Sequence, residues 1–283
     1  MTWVGITPPS PTGSSKATSD DSDVESPRRA AARLVRQLTR QRIGGRYRNS
    51  ILGVAWALVL PLLMVVLLAL VFGEVLAIRW QIGDKDAYAV VLFSGLLLHL
   101  FVADCIGKAP TLVLGHAHYV KSTRFPMHLL TWALVLDALF HLLMGIIVLL
   151  VLAAWFGFAG STSWLALPIV LLPLVPLGLG IGWSLSALSV YFRDIVEFVG
   201  LLVTGMLLLS PVLYPLDRVP ETVRFLYHFN PLTLPVENLR AVVFHATWPS
   251  IAELCIPLAV SCVFALGSRW LFMRLRDGFY DVL

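Results

Sequence analysis

The chain has 283 residues, of which 58% are hydrophobic and only 13% are charged. A soluble domain carries about 25% charged residues, so the composition excludes an ordinary soluble protein and indicates one embedded in a membrane. The net charge of +4 does not indicate a nucleic-acid partner, because the arginines are concentrated just ahead of the first apolar run, where anionic lipid headgroups provide the counter-charge.

Residues 1–26 are rich in Ser, Thr, Pro and Asp, and they predict a disordered tail. Residues 27–48 hold eight arginines and no acid, and Arg29, Arg33, Arg36 and Arg40 recur at helical spacing. This pattern predicts a basic amphipathic helix lying in the membrane interface, ended by Gly44-Gly45. The residues of this arm expected to face lipid or a partner are Arg33, Arg36, Arg40, Arg46, Tyr47 and Arg48.

Six apolar runs follow that are long enough to be candidates for crossing a bilayer core of about 30 Å. They lie at about 51–77, 87–107, 127–156, 164–190, 196–214 and 251–272. With the N-terminus in the cytoplasm, 15 of the 21 Lys and Arg residues fall inside, five fall outside and Lys16 lies in the tail. The sequence therefore predicts an all-α polytopic membrane protein with six transmembrane helices and both termini in the cytoplasm.

The fourth run carries a stripe of small residues at helical spacing, Gly178, Gly182, Ser186 and then Ser189 or Val190. Such a stripe lets two helix backbones approach closely, so we predict a packing face. A lining of the transport path is the alternative.

The segment 215–249 between the fifth and sixth runs contains two short apolar stretches, Glu221–Phe229 and Leu232–Phe244. Each is too short to cross the bilayer, so they predict a re-entrant hairpin on the outer side, buried against protein. The candidate residues of this exit hairpin are Pro220, Asn230, Pro231, Glu237 and Arg240.

Ionisable residues within the predicted spans are functional candidates. Asp137 and His141 share one helix face, where they either meet the cargo or satisfy each other. Arg193, Asp194 and Glu197 are expected to form a salt-bridged inner corner between the fourth and fifth spans.

Asp104, His99 and Glu74 receive no role from the sequence. His116 and His118 lack a neighbouring Cys, Asp or Glu, so we expect no metal site.

Six sequence motifs occur in the order found in one family, and together they cover about residues 28–283. They are Arg46-Tyr-Arg-x-Ser-x-Leu-Gly53-x-x-Trp56 with Pro61, Lys121-x-x-x-Phe125-Pro126, Val190-Tyr-Phe-Arg193-Asp194-Ile195, Ser210-Pro211-Val-Leu-Tyr214, Asn230-Pro231 with Glu237-x-x-Arg240, and Gly278-Phe-Tyr-Asp281-Val-Leu283. The chain thereby resembles the membrane subunit of type 2 ABC exporters, and in particular the class that exports O-antigen, teichoic acid and related polymers.

The resemblance implies a pore half in the bacterial cytoplasmic membrane that pairs with a second copy of itself and with two copies of a separate ATPase. ATP and Mg would be bound by that ATPase and no cofactor by this chain, which lacks the Gly-x-x-x-x-Gly-Lys-Ser/Thr phosphate loop and is not expected to be an enzyme. The implied cargo is a lipid-linked polysaccharide or polyol-phosphate polymer.

Export of a smaller amphiphile, such as a drug or a glycolipid, is the alternative within transport. A membrane-embedded transferase is disfavoured, because the inner segment 108–126 has no acid that could hold a catalytic metal.

The same inner segment is predicted to form a short helix from Pro110 to about Thr123. By resemblance it is the coupling helix that docks on the ATPase, and a solvated basic loop is the alternative. Its candidate residues are Pro110, Leu114, Tyr119, Val120, Lys121, Phe125 and Pro126.

Overall fold

The computed structural model of the chain describes residues 27–48, 50–75, 85–116, 126–158, 162–214 and 220–282, and within these ranges every regular element is helical. The α-helices are α1 Pro27–Tyr47, α2 Trp56–Leu68, α3 Lys85–Lys108, α4 Pro110–Leu114, α5 His128–Trp155, α6 Leu167–Leu171, α7 Leu174–Tyr191, α8 Ile195–Leu208, α9 Glu221–Phe229, α10 Thr233–Phe244, α11 Ile251–Arg276 and α12 Phe279–Val282. A 3₁₀ turn at Gly53–Ala55 precedes α2, a π-helical turn at Ala69–Val75 follows it, and a second 3₁₀ turn at Thr162–Ala166 precedes α6. The predicted all-α class is confirmed.

Five helical segments of the described chain are long and apolar enough to cross a membrane. They are Gly53–Phe72, Tyr88–Leu114, His128–Trp155, Thr162–Tyr191 and Ile251–Arg276. The fifth predicted run, at about 196–214, is helical only as α8, whose 14 residues extend about 21 Å at 1.5 Å per residue. The helix ends just before Ser210-Pro211, since proline cannot donate the next helical hydrogen bond and disfavours helix at the residue before it.

The amphipathic arm forms the helix α1, but the prediction that Gly44-Gly45 ends it was wrong, because α1 continues to Tyr47. Glycine within a helix costs only about 1 kcal/mol relative to alanine, and the end of α1 gains contacts with α5 that offset this cost. Tyr47 is buried there, at 7% exposure. The arginines predicted to share one face are exposed, whereas Leu34 and Leu38 are partly buried, as the pattern indicates.

The buried centre of the molecule is formed by α3 and α7, around which α5, α10 and α11 pack. The small-residue stripe of α7 faces this centre. A Cβ placed on Gly182 would overlap the Thr131 methyl group of α5, and one placed on Gly178 would lie 3.2 Å from the Cys105 sulfur of α3. The Ser189 hydroxyl donates to the Pro110 carbonyl over 2.7 Å. The predicted packing face is therefore confirmed.

Among the described residues between α8 and α11, 220–250, the chain forms the two short helices α9 and α10, close to the predicted bounds. Asn230-Pro231 separates them, and the Asn230 side-chain oxygen accepts from the Leu232 backbone N–H over 2.9 Å. Most of α10 is buried against α3 and the Thr162–Leu171 segment. By contrast, α2 and α11 expose broad apolar faces.

Candidate functional site

Six polar side chains from three helices meet at one place, which we call the charged cluster: Arg46, Tyr47, Asp104, Lys108, Asp137 and His141. Arg46 and Tyr47 end α1, Asp104 and Lys108 lie one turn apart near the end of α3, and Asp137 and His141 lie one turn apart on α5. The cluster contains two carboxylates and two permanent cations, so its charges balance when His141 is neutral.

Lys108 links the two acidic residues. Its ammonium nitrogen lies 2.6 Å from Asp104 Oδ2 and 3.3 Å from Asp137 Oδ2. Asp137 is only 4% exposed, so without Lys108 a buried carboxylate would face a second carboxylate with little solvent to screen them. Arg46 Nη1 approaches Asp104 Oδ2 from α1 at 3.5 Å.

His141 connects α1 to Asp137. Its Nε2 lies 2.8 Å from the Tyr47 hydroxyl oxygen and 3.3 Å from Arg46 Nη1, and its Nδ1 lies 2.7 Å from the Asp137 backbone carbonyl. Because both α1 groups can donate, the assignment that satisfies every contact has Nε2 as acceptor and a proton on Nδ1. The predicted Asp137–His141 pair therefore exists, at 3.6 Å between Nδ1 and Oδ1, within a larger network.

The α1 groups close to the cluster are partly removed from water. Burial lowers the pKa of the Arg42 guanidinium, and the nearby Asp137 carboxylate partly opposes this shift. Burial likewise raises the pKa of the Tyr47 hydroxyl. The end of α1 is therefore bound to α3 and α5 through polar contacts, which replace part of the water that these groups lose on burial.

Ligand atoms of Asp104, Asp137 and His141 lie within 4.8 Å of one another, a spacing compatible with a metal ion. The Lys108 ammonium, however, contacts both carboxylates and already supplies the positive charge between them. A metal would have to displace Lys108. The chemistry of the cluster therefore favours a structural charge network.

A cavity of about 330 Å³ opens beside the cluster, between α2, α3 and α5. Its walls are apolar and include Leu60, Met64, Leu97 and Phe101, whereas its polar end is formed by Arg46, Tyr47, Asp104 and His141. The cluster thus presents cationic and hydrogen-bonding groups to an apolar space.

A second polar site anchors the α9–α10 hairpin. Arg240 is 5% exposed and donates to the Pro211 carbonyl over 2.6 Å and to the Val212 carbonyl over 3.0 Å. Glu237 lies 3.5 Å away on the same helix. Burial lowers the pKa of Arg240 to about 10, and Glu237 opposes this effect.

Asn230 adds a further link between the hairpin and α8, because its amide donates to the Leu209 carbonyl over 2.9 Å. Arg240 and Asn230 therefore both tie the hairpin to the end of α8 and the residues that follow it.

A family model described as "ABC-2 type transporter" matches residues 33–244 of this chain. The chain belongs to this ABC-2 transporter membrane family. It is 28% identical over 247 residues to the "O-antigen export system permease protein RfbA" of Klebsiella pneumoniae, an alignment that covers 87% of this chain and 93% of the relative. It is 26% identical over 250 residues to the protein of the same description from Myxococcus xanthus, covering 88% and 94%. The resemblance read from the motifs is confirmed.

The structure describes the predicted coupling segment of this ABC-2 permease only at its ends. Pro110 begins α4 and is buried beneath α7, Leu114 is half-buried, and Pro126 precedes α5. Tyr119, Val120, Lys121 and Phe125 lie outside the described residues, as does His118. His116 Nδ1 contacts the Leu112 carbonyl at 2.8 Å.

The prediction that salt bridges stabilise the inner corner between α7 and α8 was wrong. Arg193, Asp194 and Glu197 are all exposed, and the described part of the chain shows no ion pair for any of them. The link at this corner instead runs from the end of α7 to the chain terminus. The Tyr191 hydroxyl donates to the Leu275 carbonyl over 2.8 Å, and its ring lies 6.1 Å from that of Phe279.

Sequence reasoning missed the role of Lys108 and Asp104, although their spacing of four residues is the signal of a helical ion pair. It grouped Arg46 and Tyr47 with the lipid-facing arm, whereas both contact His141. It also placed Arg240 correctly in the hairpin segment, but nothing in the sequence identifies the two carbonyls that this side chain binds.

Proposed function

We propose that this chain is the pore-forming half of an ATP-driven exporter that moves a lipid-linked polysaccharide across the bacterial cytoplasmic membrane. The observation that carries the proposal is the family match together with relatives described as O-antigen export permeases, which this chain aligns with over more than nine-tenths of their length. Two copies would form the pore, and two copies of a separate ABC ATPase would drive it.

The proposed topology has six crossings with both termini in the cytoplasm. In it α8 is the fifth crossing, completed by residues 209–214, and the α9–α10 hairpin enters the outer leaflet without crossing it. The arginines of α1 and the distribution of Lys and Arg along the chain support this orientation. The burial of α10 supports a hairpin covered by protein.

We infer a homodimer from the family resemblance, and a second copy or lipid would cover the exposed apolar faces of α2 and α11. Coupling to the ATPase is assigned to the segment after α4, with Tyr119 and Val120 as the apolar contacts. A polymer with polyol-phosphate units is the second cargo within this proposal, and it rests on the motif resemblance alone.

The experiment is deletion of the gene in its bacterium, followed by pulse-labelling of the glycan. Lipid-linked glycan should accumulate on the cytoplasmic side, and a plasmid copy should restore its appearance at the surface. Surface arrival at the normal rate in the deletion strain would overturn the proposal.

The hairpin is tested separately with Glu221, which is exposed at the start of α9. In a background with Cys105, Cys255 and Cys262 replaced by serine, a Glu221→Cys variant should react with a membrane-impermeant thiol reagent added to intact cells. The matched control is Arg193→Cys at the exposed inner corner, which should react only after the cells are opened. The reverse pattern would contradict the topology.

A further inference from the structure

An apolar groove runs between α1 and α5 on the side away from the charged cluster. It is open along its length and has a volume of about 680 Å³, within the range of about 300–1,000 Å³ typical of small-ligand sites. Val35, Thr39 and Ile43 line it from α1, and Leu136, Leu139 and Leu143 line it from α5. Arg36 and Arg40 are its charged residues, and both side chains are exposed.

The contacts between the helices show how deep this groove lies. Tyr47 contacts His141, and Arg42 lies in the field of Asp137, so α1 runs beside α5 in the same direction rather than lying flat in the interface as the arginine pattern predicts. A bilayer core of about 30 Å takes about 20 helical residues. Counted back from the end of α5 at Trp155, the inner edge of the core falls near Leu136.

The same count from the other side agrees. Beginning at Tyr88, where the second apolar segment starts, about 20 residues bring α3 to Lys108 at the inner edge. Arg40 and Arg36 lie seven and eleven residues before Tyr47, or about 10 and 16 Å along α1. Since Tyr47 sits about 7 Å inside the edge with His141, both arginines fall at the level of the lipid phosphates.

The upper part of the groove, from Leu136 to Leu143, then faces the acyl chains of the inner leaflet. Trp132 lies below the edge, where aromatic rings favour the headgroup region. The groove therefore combines an apolar channel at acyl-chain depth with two guanidinium groups at phosphate depth. Residues 27–48 carry no acid that would neutralise them.

We propose that this groove binds an anionic glycerophospholipid of the inner leaflet, with its phosphate on Arg36 and Arg40 and one acyl chain between α1 and α5. Charge complementarity selects an anionic headgroup over a zwitterionic one. The bound lipid would fill the space between the two helices and help hold α1 against α5. The inference rests on the proposed orientation, with α1 on the cytoplasmic side, but not on the identity of the cargo.

The test is native mass spectrometry of the purified full-length permease titrated with phosphatidylglycerol, and in parallel with phosphatidylcholine. Arg36→Gln/Arg40→Gln should weaken phosphatidylglycerol binding on the order of 30-fold, equivalent to about 2 kcal/mol at 1.36 kcal/mol per tenfold change. The matched control, Arg29→Gln/Arg193→Gln, removes two exposed arginines outside the groove and should change affinity less than about threefold, because distant exposed charges are screened.

Leu143→Trp probes the acyl-chain end of the groove. Leu143 is 43% exposed, so a larger side chain fits without disturbing the core, and it should lower phosphatidylglycerol affinity while every arginine remains. An elution volume equal to that of the wild type shows that each variant is folded.

Three results would overturn the site. They are unchanged phosphatidylglycerol binding by Arg36→Gln/Arg40→Gln, an equal loss in the control, and retention of phosphatidylcholine as tightly as phosphatidylglycerol. A Thr39→Cys disulfide between two copies of the chain would also overturn it, because a protein would then cover the groove. These readouts do not involve export, so a chain that binds the lipid but does not export polysaccharide would contradict the proposed function alone.

Discussion

Replacing Lys108 with Met tests whether the charged cluster is a balanced network. The variant removes the ammonium that lies 2.6 Å from Asp104 and 3.3 Å from Asp137 and leaves the cluster with a net negative charge. Removing one partner of a buried ion pair costs about 3–5 kcal/mol. The side chains of Lys108 and Asp104 are 33% and 25% exposed, so solvent screening reduces the expected loss of stability to about 2–3 kcal/mol.

The assay is a double-mutant cycle on thermal unfolding of the purified permease. Asp137→Asn alone replaces the carboxylate with an uncharged amide of the same shape and leaves the cluster with a net positive charge. The double variant Lys108→Met/Asp137→Asn restores the balance of charge. The double variant should therefore be more stable than the sum of the two single losses, by about 1–2 kcal/mol of coupling free energy. Lys108→Arg is the conservative control and should lose little, because it keeps the charge.

The reasoning would be refuted by additive losses in this cycle, or by a Lys108→Met variant that unfolds at the temperature of the wild type. Either result would mean that Lys108 does not neutralise the two carboxylates in the folded protein.

Three further predictions concern packing, the hairpin and coupling. Gly182→Ala should unfold at a lower temperature than the control Gly205→Ala, because a Cβ at Gly205 has no neighbouring atom within 4 Å whereas a Cβ at Gly182 overpacks against the Thr131 methyl group. The expected difference corresponds to about 1–3 kcal/mol. Thr131→Ser should restore most of the loss, and equal unfolding temperatures would contradict the packing. Arg240→Met should lower stability by about 3 kcal/mol, because two buried carbonyls lose a charged donor, while Arg240→Lys should lose less; stability unchanged in Arg240→Met would exclude the anchor. Tyr119→Asp and Val120→Asp should abolish export without affecting insertion into the membrane, because each would bury a charge at the ATPase contact. Full export in both variants would favour the alternative that this segment is a solvated loop.

The sequence predicts those elements that depend on local patterns. The two hairpin helices follow from Asn230-Pro231, which interrupts an apolar stretch, and the exposed face of α1 follows from its arginine spacing. The small-residue stripe of α7 is also a local pattern, because small residues at helical spacing let another helix backbone pack closely against them.

Features that depend on packing between distant segments could not be read in this way. Arg46 and Asp104 are 58 residues apart, and Tyr47 and His141 are 94 apart, so neither contact leaves a local signal. The continuation of α1 through Gly44-Gly45 has the same origin, because contacts at Tyr47 outweigh the weak helix propensity of the two glycines. The length of α8 was overestimated because apolar residues continue past the point at which Pro211 ends the helix.

Export of a lipid-linked polysaccharide by this ABC-2 permease together with a separate ATPase is the proposed function. It is tested most directly in vesicles reconstituted with the chain, its ATPase and labelled lipid-linked polysaccharide in the leaflet that faces the ATPase. Entry of the label is measured as protection from an added glycan-degrading enzyme. We expect protection that requires ATP and the chain together and is lost in the Tyr119→Asp variant, whereas equal protection without ATP or without the chain would contradict the proposed function.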